Sequence, residues 1–218
     1  MSAALSGLQL GLASVSALSA TAYGTALLTR PPSALRTITK ALVIGSLALV
    51  AAMQGHGWLL AVGLALSALG DAFLAGDPKR WLPLGMASFL LAHAAYVVLF
   101  AHTGGGLAML QFQPVRLAGA VIVVLVAASL LRALWSSLGS MKAPVSVYVV
   151  AIALMAVMSL TLPPARWTAM AGAAAFMASD AILAVRLFRQ PEQRNLPADL
   201  AVWWLYVAAQ GLIVWAFV

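Results

Sequence analysis

The chain has 218 residues, 64% of them hydrophobic and 8% charged, with a net charge of +7 and no cysteine; its mean hydropathy is +1.02. Average chains carry about 25% charged residues, so a water-soluble globule is excluded, and the missing cysteines exclude disulfides, thiolate nucleophiles and cysteine metal sites. With lipid as the solvent, helices or closed barrels remain, and long uniform Leu, Ala and Val runs without two-residue alternation select helices.

A hydrocarbon core takes about 20 residues per helix. Eight segments reach that length: 5–28, 34–53, 57–76, 81–101, 114–135, 143–162, 165–187 and 198–217. The first has no basic flank before its apolar run and reads as a span, not as a cleaved leader. Breakers separate the segments at Pro31–Pro32, Gly55–Gly57, Asp77–Pro78, Gly104–Gly106, Pro163–Pro164 and Pro191 to Pro197. The expectation is an all-α polytopic membrane bundle of eight transmembrane helices, one transmembrane domain over residues 1–218.

Ten of the twelve lysines and arginines lie at the odd connections: Arg30, Arg36, Lys40, Lys79, Arg80, Arg132, Lys142, Arg186, Arg189 and Arg194. Only Arg116 and Arg166 lie at the even ones. The positive-inside rule puts the odd connections in the cytoplasm and both termini outside it. The basic residues sit at helix ends and form no single stripe. They therefore report topology and headgroup attraction and not a nucleic-acid partner. The tryptophans Trp58, Trp81, Trp135, Trp167, Trp203, Trp204 and Trp215 fall mostly near helix ends, as an aromatic belt.

Two aspartates interrupt this pattern. Asp71 lies in ALSALGDAFLAGD of the third span and Asp180 in AAAFMASDAILAVR of the seventh. A carboxylate at membrane depth costs roughly 2.5–3.5 kcal/mol on insertion scales, so each needs a partner, a wet cavity or a substrate. Both spans run from outside to inside, and both aspartates sit roughly 8–10 Å short of the inner boundary. If the third and seventh helices are neighbours, the carboxyls share a cavity on the cytoplasmic half. The other acids read differently: Asp77 adjoins Lys79 and Arg80 in a connection, Asp199 suits a helix N-terminus, and Glu192 lies in a polar loop.

The segment Gly70 to Ala75 echoes Ser179 to Ala184 at an offset of 109 residues, half the chain. A four-plus-four helix repeat, with halves of about 1–109 and 110–218, would leave that trace.

Polar residues near the aspartates are candidates to hold them or a water. Ser67 is one turn before Asp71, and Ser179 adjoins Asp180; a serine in a membrane helix also commonly bonds its own backbone. His93 and Tyr96 lie near mid-membrane in the fourth span, and Tyr206 and Gln210 are one turn apart in the eighth. Each reads either as a relay or as interhelical glue. His56 and His102 fall in outer connections and the chain has no HExxH pair, so a metal could be assembled only from Asp71, Asp180 and His93; neither metal nor cofactor is expected. No GxSxG elbow is present.

Four blocks together resemble the lysoplasmalogenase-like, or YhhN-like, family of multi-spanning membrane proteins. They are SALGDAFLAGD, GMASFLLAHAAYVVLFA, GAAAFMASDAILAVRLF and YVAAQGLIV. The resemblance implies hydrolysis of the vinyl ether bond of lysoplasmalogens to a fatty aldehyde and a glycerophospho-headgroup. It maps the functional acids onto Asp71 and Asp180, with His93, Tyr96, Tyr206 and Gln210 in supporting positions. The family's second helix usually opens on a Lys-Pro step; here Lys40 is followed by Ala41.

The chemistry suits the residues. A vinyl ether is hydrolysed through protonation of its alkene carbon to an oxocarbenium ion, which requires a carboxylic acid that keeps its proton and a polar or negative group facing the cation. Two carboxyls in one low-dielectric cavity divide in this way. A coupled pair titrates jointly, so the sequence leaves open which aspartate is the donor; the working assignment is Asp180 as acid and Asp71 as stabiliser and base. Lys40 and Arg186, near the inner boundary, are candidates for the lipid phosphate. The partners implied are a lysophospholipid substrate and membrane lipid, in a bacterial inner membrane with the site on its cytoplasmic half. Three rival readings fit the same residues: a proton-coupled transporter of a small molecule or lipid, a non-catalytic lipid-binding or scaffold protein, and a hydrolase of another lysolipid or ether lipid.

Overall fold

The computed structural model describes residues 6–55, 57–190 and 195–218. The readings made for His56, Pro191, Glu192 and Arg194, and the start of the first span at residue 5, lie outside them. Eight helices are long and apolar enough to cross a membrane, and no strand occurs among the described residues. They are α1 (Gly7–Ala22, extended by a π-helical turn Tyr23–Leu27), α2 (Ala34–Ala52), α3 (Trp58–Ala75), α4 (Pro78–Thr103), α5 (Pro114–Leu134), α6 (Lys142–Ser159), α7 (Trp167–Arg189) and α8 (Leu196–Phe217). These are the eight segments that the apolar runs foretell, with ends moved by a few residues. The chain is an integral membrane protein.

Local chemistry sets the ends. Ser6 and Gln9 close a reciprocal capping box at the start of α1. The Ser33 hydroxyl accepts from the Arg36 amide at the start of α2, directly after the Pro31–Pro32 break. Pro31–Pro32 lie within the α1–α2 connection and Gly76 opens the α3–α4 connection, and Gly55 and Gly106 take positive φ values of 69° and 72° that side chains disfavour. Asn195 caps α8 through its side-chain oxygen, with Pro197 in the first turn.

The chain forms two compact units: Met1–Tyr96 with Val214–Val218, and Val97–Ile213. In the first, α2 packs against α1 and α3. In the second, α6 packs against α5 and α7. Small residues permit the close approaches. A Cβ on Gly70 of α3 would stand 2.6 Å from the Phe89 ring of α4. A Cβ on Gly172 of α7 would stand 2.7 Å from the Ala209 carbonyl oxygen of α8. In lipid, packing of this kind replaces the hydrophobic drive between helices.

Candidate active-site residues and family membership

In the first unit the sequence places Asp71 one turn before the end of α3, on the side covered by α2, and its side chain is 1% exposed. The Lys40 ammonium, from the second turn of α2, lies 3.1 Å from Asp71 Oδ1. It also stands 5.8 Å from the ring centroid of Tyr23, buried at the start of the π-helical turn. Arg36, one turn earlier, lies 5.7 Å from the same ring, and its Nη1 donates to the Ala75 carbonyl at 2.6 Å. Helix C-termini leave carbonyls without intrahelical donors and carry partial negative charge. The basic edge of α2 therefore neutralises both the last turn of α3 and the aspartate inside it. Lys40, expected at the lipid phosphate, is committed to Asp71.

Ser67 does not reach Asp71; its hydroxyl donates to the Gly63 carbonyl one turn back, at 2.9 Å. His93 and Tyr96 share a face of α4 and are both fully buried. Tyr96 lies over Gly63, where a Cβ would meet its ring at 2.7 Å. Phe73 stacks on Trp81 with ring centroids 5.6 Å apart.

In the second unit Asp180 is half-buried on α7, and the Tyr148 hydroxyl of α6 donates to its Oδ2 at 2.6 Å. Sequence reasoning missed Tyr148, which sits in a plain apolar run. A signal was present, however. The offset of 109 residues that carries Asp71 onto Asp180 carries Lys40 to within one residue of Tyr148. In both units a donor on one helix reaches the aspartate of the helix that follows it, 31 residues on in the first and 32 in the second.

Ser179 turns away from Asp180 and donates to the Val202 carbonyl of α8 at 2.9 Å. Tyr206 meets Phe176 edge to face, with centroids 5.4 Å apart, and Gln210, one turn on, is fully buried. Arg186 Nε bonds Asp199 Oδ1 at 3.1 Å, so Asp199 is both in the first turn of α8 and paired. Arg186 Nη1 is buried with no acceptor among the described residues. A cavity of about 320 Å³ beside it is lined by Leu130, Ala181, Ile182, Val185 and Arg186. With 3.6 residues per turn, those α7 positions lie on the side of the helix away from Asp180.

Comparison with known proteins adds kinship to this geometry. The YhhN family model matches residues 35–217. A lysoplasmalogenase of Mycobacterium bovis is 34% identical over 168 residues, which cover 73% of this chain and 60% of the relative. Lysoplasmalogenase TMEM86A of Bos taurus is 31% identical over 199 residues, covering 84% of this chain and 78% of the relative. The human TMEM86A lysoplasmalogenase is 32% identical over 177 residues, covering 73% and 70%. The chain spans about 60% of the length of the mycobacterial relatives it matches. No solved structure matches it. A family model extending over seven of the eight helices, with both span-embedded aspartates inside it, makes this chain a member of the YhhN family.

Proposed function

We propose that the chain is a membrane hydrolase that cleaves the vinyl ether bond of lysoplasmalogens to a fatty aldehyde and a glycerophospho-headgroup, using Asp71 and Asp180 as its acid and base. One observation carries the reading. Each aspartate that lies within a membrane span is held by a dedicated donor, Lys40 for Asp71 and Tyr148 for Asp180, in a family whose curated relatives are named lysoplasmalogenases.

Asp71 is ion-paired with Lys40 and so is the ionised member. That suits it to face an oxocarbenium ion and to take a proton from the attacking water. Asp180 supplies the proton. Protonation of the alkene carbon generates the cation on the neighbouring carbon. Water adds there and gives its proton to the base, and the resulting hemiacetal breaks its bond to the glycerol oxygen. The aldehyde leaves with the chain, and the glycerol hydroxyl stays with the headgroup. No cofactor is needed. His93, Tyr96, Tyr206 and Gln210, all buried polar groups on α4 and α8, support the proton path or the water. The basic odd connections support a site on the cytoplasmic half of a bacterial inner membrane as part of this reading. The four-plus-four repeat belongs to the same reading, supported by the recurring donor-and-aspartate arrangement of the two units.

The test is aldehyde release from a lysoplasmenylethanolamine by purified, reconstituted protein, against Asp71→Asn and Asp180→Asn. Both variants are expected to lose at least about 100-fold in rate, the scale of general acid–base catalysis. Release at the parent rate in both would end the proposal.

A further inference from the structure

Arg186 is only half used by the contacts described so far. Its Nε is taken by Asp199 Oδ1 at 3.1 Å, while its Nη1 is buried and meets no acceptor among the described residues. A buried guanidinium nitrogen in that position has lost its hydration without replacement. The same side chain lines a cavity of about 320 Å³ whose remaining walls are mostly apolar, with Leu130 from α5, Ile182 and Val185 from α7, and Ala198 from α8. That volume would take about ten waters, but each buried water needs roughly two to four polar partners, and these walls offer few. Hydrocarbon suits the walls, and an oxyanion suits the guanidinium. A phosphate carrying an acyl chain supplies both at once.

The surrounding charges set the sign of the ligand. Arg186 and Asp199 offset each other. Arg189, three residues on, lies on the same side of α7 and is exposed, so these three groups leave one positive charge over. Both arginines belong to the seventh connection, assigned to the cytoplasmic side by the charge bias, where anionic headgroups attract basic residues that flank membrane helices.

We propose that this cavity binds an anionic glycerophospholipid, with its phosphate on Arg186 Nη1 and Arg189 and one acyl chain against the apolar walls between α5 and α7. The site goes beyond the hydrolase reading and stands without it. Asp180 is on the other side of α7, and a helix about 10 Å across lies between the two. A lipid held here is therefore not the one whose ether would meet that carboxyl. By binding the folded second unit at α5, α7 and the start of α8, it stabilises that unit by mass action.

Lipid binding to the purified full chain in non-ionic detergent, followed by native mass spectrometry and by the unfolding midpoint, tests the site. The probes are a phosphatidylglycerol, a phosphatidylcholine with the same chains, and inorganic phosphate. The phosphatidylglycerol is expected to bind and raise the midpoint, and the other two to do neither at equal concentration. Arg186→Gln should weaken its binding by roughly 10- to 100-fold, the scale of a hydrogen bond between charged groups, and Arg189→Gln by roughly five-fold. Ile182→Trp, which fills the cavity, should abolish the rise in midpoint. Asp199→Asn should bind at least as tightly as the parent, because it frees Arg186 Nε and removes a repelling charge; an arginine that only braces α8 would give the reverse. Equal binding of phosphatidylcholine, an equal rise with inorganic phosphate alone, or parent affinity in Arg186→Gln or Ile182→Trp overturns the proposal. Should either of those two variants fail to fold, Arg189→Gln, at an exposed position, decides the matter, and parent affinity there overturns it as well.

Discussion

Replacing Lys40 by Met isolates the interaction on which the charge assignment of Asp71 rests. Lys40 Nζ and Asp71 Oδ1 are 3.1 Å apart, with side chains 14% and 1% exposed. At an effective dielectric of about 20, two unit charges at that separation attract by ~5 kcal/mol before desolvation. Removing one partner of a buried pair typically costs about 3–5 kcal/mol, because the other is stranded. Lys40 keeps some contact with solvent, so the lower end applies and Lys40→Met should cost about 3 kcal/mol. Asp71→Asn strands only an ammonium on a flexible stem that can reach the interface, and should cost about 1 kcal/mol. The double variant should also cost about 1 kcal/mol, which makes the coupling about 3 kcal/mol. Reversible unfolding in mixed micelles of the four proteins measures this cycle directly. If Lys40→Met lies within about 0.5 kcal/mol of the parent, the range of an ordinary surface substitution, Asp71 is not a carboxylate held by Lys40, and the base assigned to it is lost.

Three further outcomes follow from the packing and the hydrogen bonds. Gly70→Ala should destabilise by about 1–3 kcal/mol, because its Cβ would lie 2.6 Å from the Phe89 ring; pairing it with Phe89→Leu should restore part of the loss in the same unfolding assay. Arg116→Gln should cost about 1.5–3 kcal/mol, since Arg116 Nη1 donates to the Leu160 and Leu162 carbonyls at 2.8 and 2.6 Å beyond the end of α6; faster hydrogen exchange confined to residues 155–162 would locate the loss. Asp199→Asn, which removes the ion pair with Arg186, should move the unfolding free energy by no more than about 1 kcal/mol, because Asp199 is 39% exposed and a partly solvated pair contributes little.

The spans were legible because lipid demands about 20 apolar residues and the prolines keep to the connections and first helical turns, Pro83 of α4 excepted, while glycines serve both in connections and as close-packing points inside helices. That Asp71 and Asp180 lie inside long apolar helices was legible for the same reason. Their partners were not. Lys40 counted as one more basic residue at a connection, since a topology rule treats every lysine alike and cannot see that α2 lays its second turn against the end of α3. Tyr148 was invisible because an aromatic residue in an apolar run looks like filling until the neighbouring helix is known; only the half-chain echo pointed to its place. Ser67 and Ser179 stood next to the aspartates in sequence, yet short hydroxyls in a helix find carbonyls sooner than they find carboxylates, and both do so here. The π-helical turn that brings Tyr23 beneath Lys40 left no mark in the composition at all.

The central claim is that a carboxylic acid of this chain delivers a proton to carbon. Turnover of a lysoplasmenyl lipid in deuterium oxide, with the aldehyde trapped by reduction as it forms, tests that most directly. One deuterium is expected on the carbon next to the former aldehyde, in product formed by the parent protein and not by Asp180→Asn. An aldehyde without deuterium at that carbon, or one formed at the parent rate by Asp180→Asn, would contradict it.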